Sequence, residues 1–287
     1  MTDRLPVRKT WKLYIDGAWP RSESGRTFRV TGAGGELLAH ACRASRKDAR
    51  EAVVAARRAL PAWSARTAFN RGQILYRVAE MLEGRAADFA ELLTAKSGQT
   101  KRARTKIKTS VDRWVWYAKW CDKLPHIAGG AVPVAGPYFT FTVPEPTGVI
   151  AIIPPAEPPL LALTSRLAPV LAGGNTAVVL AHGHVLAALG LAEVLSVSDV
   201  PPGVVNILTG DPAELVPVLA AHRDIDGLDA AGVEEGLLTG ATAAAADNVK
   251  RVTLPPVDLD WFDERAQSPY DISAFLELKT VWHPIGQ

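Results

Sequence analysis

Apolar positions along this chain follow two rhythms, and the change between them falls near residue 138. In the first stretch they recur every three or four residues, the period of a helix with one buried face. Ser45-Arg-Lys-Asp48 has the spacing of a capping box, with Asp in place of the usual Glu, and opens a helix through Leu60 that gathers Ala52, Val53, Ala56 and Leu60 on one side. A second helix carries Ile74, Leu75, Val78 and Leu82 and ends at Gly84; a third runs to about Ser97, with Gly98 as its stop. A fourth is marked by Ile107, Val111, Trp114, Ala118 and Cys121, a single apolar stripe. Its other side, with Lys101, Arg102, Arg104, Lys106 and Lys108, reads as a solvated face. Ahead of these helices, Trp11 to Trp19 reads as two short strands around the turn pair Asp16-Gly17.

After residue 138 the apolar positions gather into short continuous runs. Tyr138 to Val143 alternates as a strand. Gly148–Ile153, Thr176–Leu180 and Val204–Leu208 are the runs expected of strands covered on both sides. Ile225–Asp229 is a weaker fourth, and Val249–Leu254 reads as a fifth, buried strand. Helices are predicted between them at Leu160–Leu171, Val185–Leu195, Ala213–Ala221 and Thr239–Ala246. This alternation specifies an α/β fold: a doubly wound parallel sheet with helices on both faces. Such sheets bind dinucleotides at the carboxyl ends of their strands, yet no Gly-x-Gly-x-x-Gly run occurs here.

Composition narrows the classes. With 48% hydrophobic and 22% charged residues the chain is an ordinary globular one, and a net charge of +2 gives no pull toward nucleic acid or an acidic membrane. Two cysteines, Cys42 and Cys121, make no disulfide framework and fit a reducing, cytoplasmic setting. No stretch reads as a signal peptide or a membrane span.

Several segments together resemble the aldehyde dehydrogenase family. They are Lys12-Leu-Tyr-Ile-Asp-Gly-Ala-Trp19, Pro61-Ala-Trp63, Tyr117-Ala-Lys-Trp120, Glu145-Pro-Thr-Gly-Val-Ile150, Leu167-Ala-Pro-Val-Leu-Ala-Gly-Gly-Asn-Thr176, Val200-Pro-Pro-Gly-Val-Val-Asn206 and Leu278-Lys-Thr-Val-Trp282. The resemblance implies a nucleotide-binding-like domain from residues 1–137 and 145–254, Rossmann-like and of the family's N-terminal type. A small β oligomerisation flap is implied from 138–144 and 272–283. In the family a catalytic domain lies between these flanks; here residues 255–271 stand in its place as a linker.

The family's working positions are altered one by one. Its oxyanion-holding Asn falls on Ala156, which has no side-chain donor; comparable donors are worth roughly 3–4 kcal/mol. The Lys and Glu that hold the adenosine ribose fall on Ala181 and His184. The pyrophosphate run Gly-Ser-Thr falls on Gly232, Val233 and Glu234; Val233 cannot donate, and Glu234 and Glu235 are expected to repel a phosphate. The general base falls on Pro255, and the nucleophilic Cys belongs to the absent domain. Cys121 sits on an apolar stripe and reads as an inert core thiol, and Cys42, between Ala41 and Arg43 in an expected strand, matches no family role. The resemblance is nearest to the non-catalytic second half of the two-part family-sixteen aldehyde dehydrogenases. No cofactor and no catalytic residue are expected.

Other features add little chemistry. His182-Gly-His184 offers two arms of a metal site, but no third ligand follows, so no metal is expected. Asp258, Asp260, Asp263 and Glu264 read as a solvated acidic connection, in which Trp261 and Phe262 either pack back or mark an interface. The last strand is expected to place Ala274, Leu276, Leu278, Thr280 and Trp282 on one face. The family resemblance makes this the flap strand, implying that the chain assembles with a catalytic aldehyde dehydrogenase subunit and also with itself, through the alanines 241 and 243–246. An active or cofactor-binding oxidoreductase is the alternative reading.

Overall fold

The computed structural model describes residues 9–256 and 258–286. It opens with three short strands, β1 (Thr10–Trp11), β2 (Thr27–Thr31) and β3 (Leu37–Cys42), in the order β1-β3-β2. Asp16 and Gly17 both adopt positive φ, and Ile15 and Ala18 exchange backbone bonds of 3.0 and 2.9 Å across them. The expected hairpin turn is present, with a further bond from the Leu13 amide to the Pro20 carbonyl at 3.1 Å, but its arms form isolated bridges rather than two strands. On its other edge Tyr14 exchanges backbone bonds of 3.0 and 2.7 Å with Ile207, which pins the segment to the main sheet.

Four helices follow: α1 (Arg46–Ser64), α2 (Ala68–Gly84), α3 (Ala86–Ser97) and α4 (Thr100–Trp120), then the short α5 (Leu124–Ala128). The capping box of α1 is complete: Ser45 Oγ accepts from the Asp48 amide, and the Asp48 carboxylate accepts from the Ser45 amide at 2.7 Å. This helix passes its expected end at Leu60 and carries Pro61 in its last turns. On α4, Ile107, Trp114, Ala118 and Cys121 are buried as the stripe requires.

The central sheet holds β6 (Val149–Ile152), β7 (Thr176–Ala181), β8 (Val205–Thr209), β9 (Gly227–Asp229) and β10 (Arg251–Thr253). All pairings are parallel, in the order β10-β9-β6-β7-β8. Helices α6 (Leu161–Ala172), α7 (Val185–Ser196), α8 (Pro212–Ala221) and α9 (Glu235–Ala246) connect the strands. Alternate residues of β6 face opposite cores: Ile150 and Ile152 join the cluster containing Trp63 and Trp114, while Val149, Ala151 and Ile153 join the one beneath α1 and α8. Each such side chain contributes about 1.5–3 kcal/mol on burial. The doubly wound sheet expected from the runs is the one formed. Its fifth strand differs from expectation: β10 is a half-buried edge, and Val249 lies outside it, 90% exposed.

A third sheet combines β4 (Gly130–Ala131), β5 (Tyr138–Pro146) and β11 (Leu276–Pro284) in the order β11-β5-β4. Strands β5 and β11 pair antiparallel over their whole length, Leu276 opposite Pro146 and Pro284 opposite Tyr138. Between β10 and β11 lie a 3-10 turn at Glu264–Ala266 and α10 (Pro269–Ser273). Among the described residues no helix is long and apolar enough to cross a membrane.

Candidate functional site

Parallel strands place their following loops at one edge of the sheet, and that edge gathers most of the altered positions. Ala156 follows β6, His184 follows β7, Gly232 and Val233 follow β9, and Pro255 follows β10. Ala181 is the last residue of β7 and is buried.

These loops are closed against one another. The Gly232 amide donates to the Ile153 carbonyl at 2.6 Å, and a Cβ on Gly232 would stand 2.2 Å from the Pro154 carbonyl oxygen, so only glycine fits. At Gly183 an added Cβ would come within 2.7 Å of the Ala156 Cβ. The loops after β6, β7 and β9 therefore touch where a bound molecule would need room. Beside His184 the free space is about 10 Å³, at the lower limit of what holds a single water.

Charge is satisfied from within as well. The Glu157 carboxylate accepts from Lys106 Nζ at 3.0 Å on one oxygen and meets His184 Nε2 at 2.7 Å on the other. Lys106 and His184 are largely covered, while Glu157 is the exposed member. Burial opposes ionisation of Glu157, but Lys106 and His184 outweigh it and hold the carboxyl below its usual range. Burial lowers the pKa of His184 against the pull of Glu157 and lowers that of His182 too, favouring neutral rings. His184, at the altered ribose position, has its Nε2 already engaged by Glu157. Lys106 was expected on a solvated face and instead reaches across to this loop.

The start of α9 has no side-chain cap, and both Glu234 and Glu235 are exposed there. Val233 is partly buried against the core beneath α1. The residues present do not fit a dinucleotide: no side chain donates at Ala156, Ala181 or Val233, the Gly232 amide is used, and the carboxylates of Glu234 and Glu235 stand at the α9 start. Among the described residues no group of three His, Cys, Asp or Glu side chains can hold a metal ion. Cys42 and Cys121 are both buried and free; burial pushes the Cys121 thiol up to about 12, far from a reactive thiolate.

A second charged cluster lies inside the fold and escaped the sequence reading. Arg166 on α6 donates from Nε to Asp229 Oδ2 at 2.6 Å and from Nη1 to Asp271 Oδ1 at 3.1 Å. Burial opposes its charge, but Asp229 and Asp271 hold its pKa above the ordinary arginine value. Tyr117 donates to the other Asp271 oxygen at 3.1 Å, and burial raises its pKa. The signal was legible: Arg166 is the one charged residue in the apolar run Leu160–Leu171 and therefore needed a buried partner.

The expected interface face is only partly available. Ala274 is the C-cap of α10 rather than a strand residue and packs on the core, and Leu276 is buried in that core. The strand begins where the core lets go of the chain. Leu278 and Trp282 are 60% and 58% exposed, and Thr280 shares a 2.9 Å hydroxyl bond with Thr142. The alanines of α9 divide likewise. Ala241 and Ala245 are buried within the chain, so a second copy would meet only Ala243 and Ala246 fully exposed. In the acidic connection Trp261 is half-buried and Phe262 exposed, so one packs back and the other faces solvent.

The sequence model described as "Aldehyde dehydrogenase family" matches residues 19–255. Retinal dehydrogenase 2 of Mus musculus is 36% identical over 260 residues, covering 88% of this chain and 49% of its own length. Aldehyde dehydrogenase, cytosolic 1, of Elephantulus edwardii is 33% identical over 250 residues, covering 85% and 49%. Among solved structures, HpcC from Thermus thermophilus superposes with a TM-score of 0.80 at 31% identity, covering 86% of this chain and 48% of that one. Betaine aldehyde dehydrogenase from Staphylococcus aureus, solved with NAD+, gives 0.80 at 25% identity, covering 85% and 48%. The chain spans about half the length of the curated relatives it matches.

Proposed function

From the premise that this chain belongs to the aldehyde dehydrogenase family, we propose that it is a non-catalytic member: a pseudoenzyme subunit that assembles with a catalytic NAD-dependent aldehyde dehydrogenase and stabilises or regulates it. The observation that carries this reading is the closure of the sheet's carboxyl edge, where Glu157 is held by Lys106 and His184 and Gly232 is spent on the Ile153 carbonyl. A scaffold that fills its own ligand edge has kept the fold and given up the grip. The likeness to the second half of the two-part family-sixteen enzymes belongs to the same reading, with residues 255–271 as the linker replacing a catalytic domain.

The contact surface in this proposal is the outer face and edge of β11, with Leu278, Thr280 and Trp282. An exposed nine-residue edge strand offers a row of unpaired backbone groups to a neighbouring sheet. Self-association through the α9 alanines, of which Ala243 and Ala246 are exposed, is the lesser form of the proposal. Co-expression with a catalytic aldehyde dehydrogenase, followed by gel filtration at micromolar concentration, tests it. Joint elution is expected, and separate elution of both proteins would sink it.

A second reading, a cofactor-binding oxidoreductase, is favoured by one finding: a structural relative was solved with NAD+. Titration calorimetry separates the two. No heat is expected with NAD+; sub-millimolar binding would overturn the assignment of Ala181, Val233 and Glu234 as lost contacts.

A further inference from the structure

The segment joining β10 to β11 is fixed to the fold at both polar and apolar points. Two arginines on the helices beneath it, Arg113 on α4 and Arg166 on α6, are 2% and 5% exposed. Buried guanidinium groups need partners, because an unpaired buried charge is strongly destabilising. Among the described residues the hydrogen bonds of Arg113 go to the joining segment: the carbonyls of Ala266 and, at 3.0 Å, Trp261. Arg166 takes Asp271 from it, and Tyr117 clasps the same carboxylate. Farther along, Asn175, fully buried, donates to the Phe275 carbonyl at 2.9 Å, and Arg251 donates to those of Ala274 and Leu276. Between these bonds Ala266, Ile272, Phe275 and Leu276 are buried. A featureless connection would strip Arg113 of these carbonyls and leave Arg166 with Asp229 alone.

We propose that residues 261–276 are an intramolecular strap that seals the flank of α4 and α6 and pins the start of β11 to the core. It sets where β11 starts, since the core releases the chain only after Leu276. This inference concerns the chain alone and stands whether or not a partner subunit exists.

The test is to cut the chain while keeping all of it. A site-specific protease sequence placed between Pro256 and Asp258, both exposed, allows cleavage before the strap begins. The carboxyl-terminal piece is expected to co-elute with the remainder on gel filtration in plain buffer and to separate only in denaturant. Its separate elution in plain buffer would overturn the proposal. In the uncut protein, Asp271→Ala is expected to lower the Tm by at least about 6 °C and to raise amide exchange across 266–275 at least about tenfold. Asp271→Asn, which keeps the shape, should show the same change in smaller measure. Unchanged melting and exchange in both variants would refute the anchor. Retention of the cut piece without co-elution of a catalytic partner would remove the proposed function and leave the strap intact.

Discussion

The central sheet and the flap are both built from strands of this chain, but they are finished differently. Every residue of β6, β7 and β8 is buried, and alternate side chains feed two separate cores. In β11 only Leu276 is buried; the eight residues after it are exposed. The same polypeptide thus contains one sheet that is complete in itself and one whose face is apolar without cover. Exposed aromatic and aliphatic side chains on a paired, ordered strand point to contact with something else. On the proposed function, a filled carboxyl edge and an open flap belong together in a chain kept for assembly.

Substitutions can break this contrast. Trp114→Ala, in the core beneath the sheet, is expected to cost about 3–5 kcal/mol in chemical denaturation. The flap double variant Leu278→Ala/Trp282→Ala is expected to leave the Tm within about 2 °C. On the proposed function it weakens association with a catalytic subunit at least tenfold, about 1.4 kcal/mol, by surface plasmon resonance. If the flap variant melted like the core variant, the two regions would not differ in the way described. Ser45→Ala removes the capping oxygen of α1 and should cost about 1 kcal/mol.

The smallest effect is one of pH. His182, His184 and His222 are all lowered by burial, so the unfolded chain binds protons more readily than the folded one. Their contribution is present in full above the ordinary histidine range and is lost as pH falls through it toward their lowered folded values. Melting temperature should therefore fall between pH 7.5 and 5.5. His182→Gln should flatten that fall, and an equal slope in the variant would exclude His182 as a source.

Much of this fold was legible from spacing alone. Ser45 to Asp48, the stripe on α4 and the apolar runs of β6, β7 and β8 each follow from local periodicity, which is fixed by the residues themselves. What was not legible depends on groups far apart in the chain. Tyr14 bonds Ile207 across the free edge of its hairpin, and Val249 is expelled from the strand expected over Val249–Leu254. At the site, the altered residues at Ala156, Ala181 and Val233 were readable because they lack donors whatever surrounds them. The bond between Glu157 and His184 was not, since it needs the loops after β6 and β7 to meet. Asp271 was hidden for the same reason: one acid among several in a polar stretch, distinguished only by the arginine that faces it.

The pairing of β5 with β11 has a temporal consequence. Thr142 and Thr280, bonded across the two strands, are 138 residues apart in the chain. At ordinary synthesis rates that separation is roughly 7–28 s of ribosome time. Throughout it, β5 has only the short β4 beside it, and the edge that will receive β11 stays open until synthesis is nearly done.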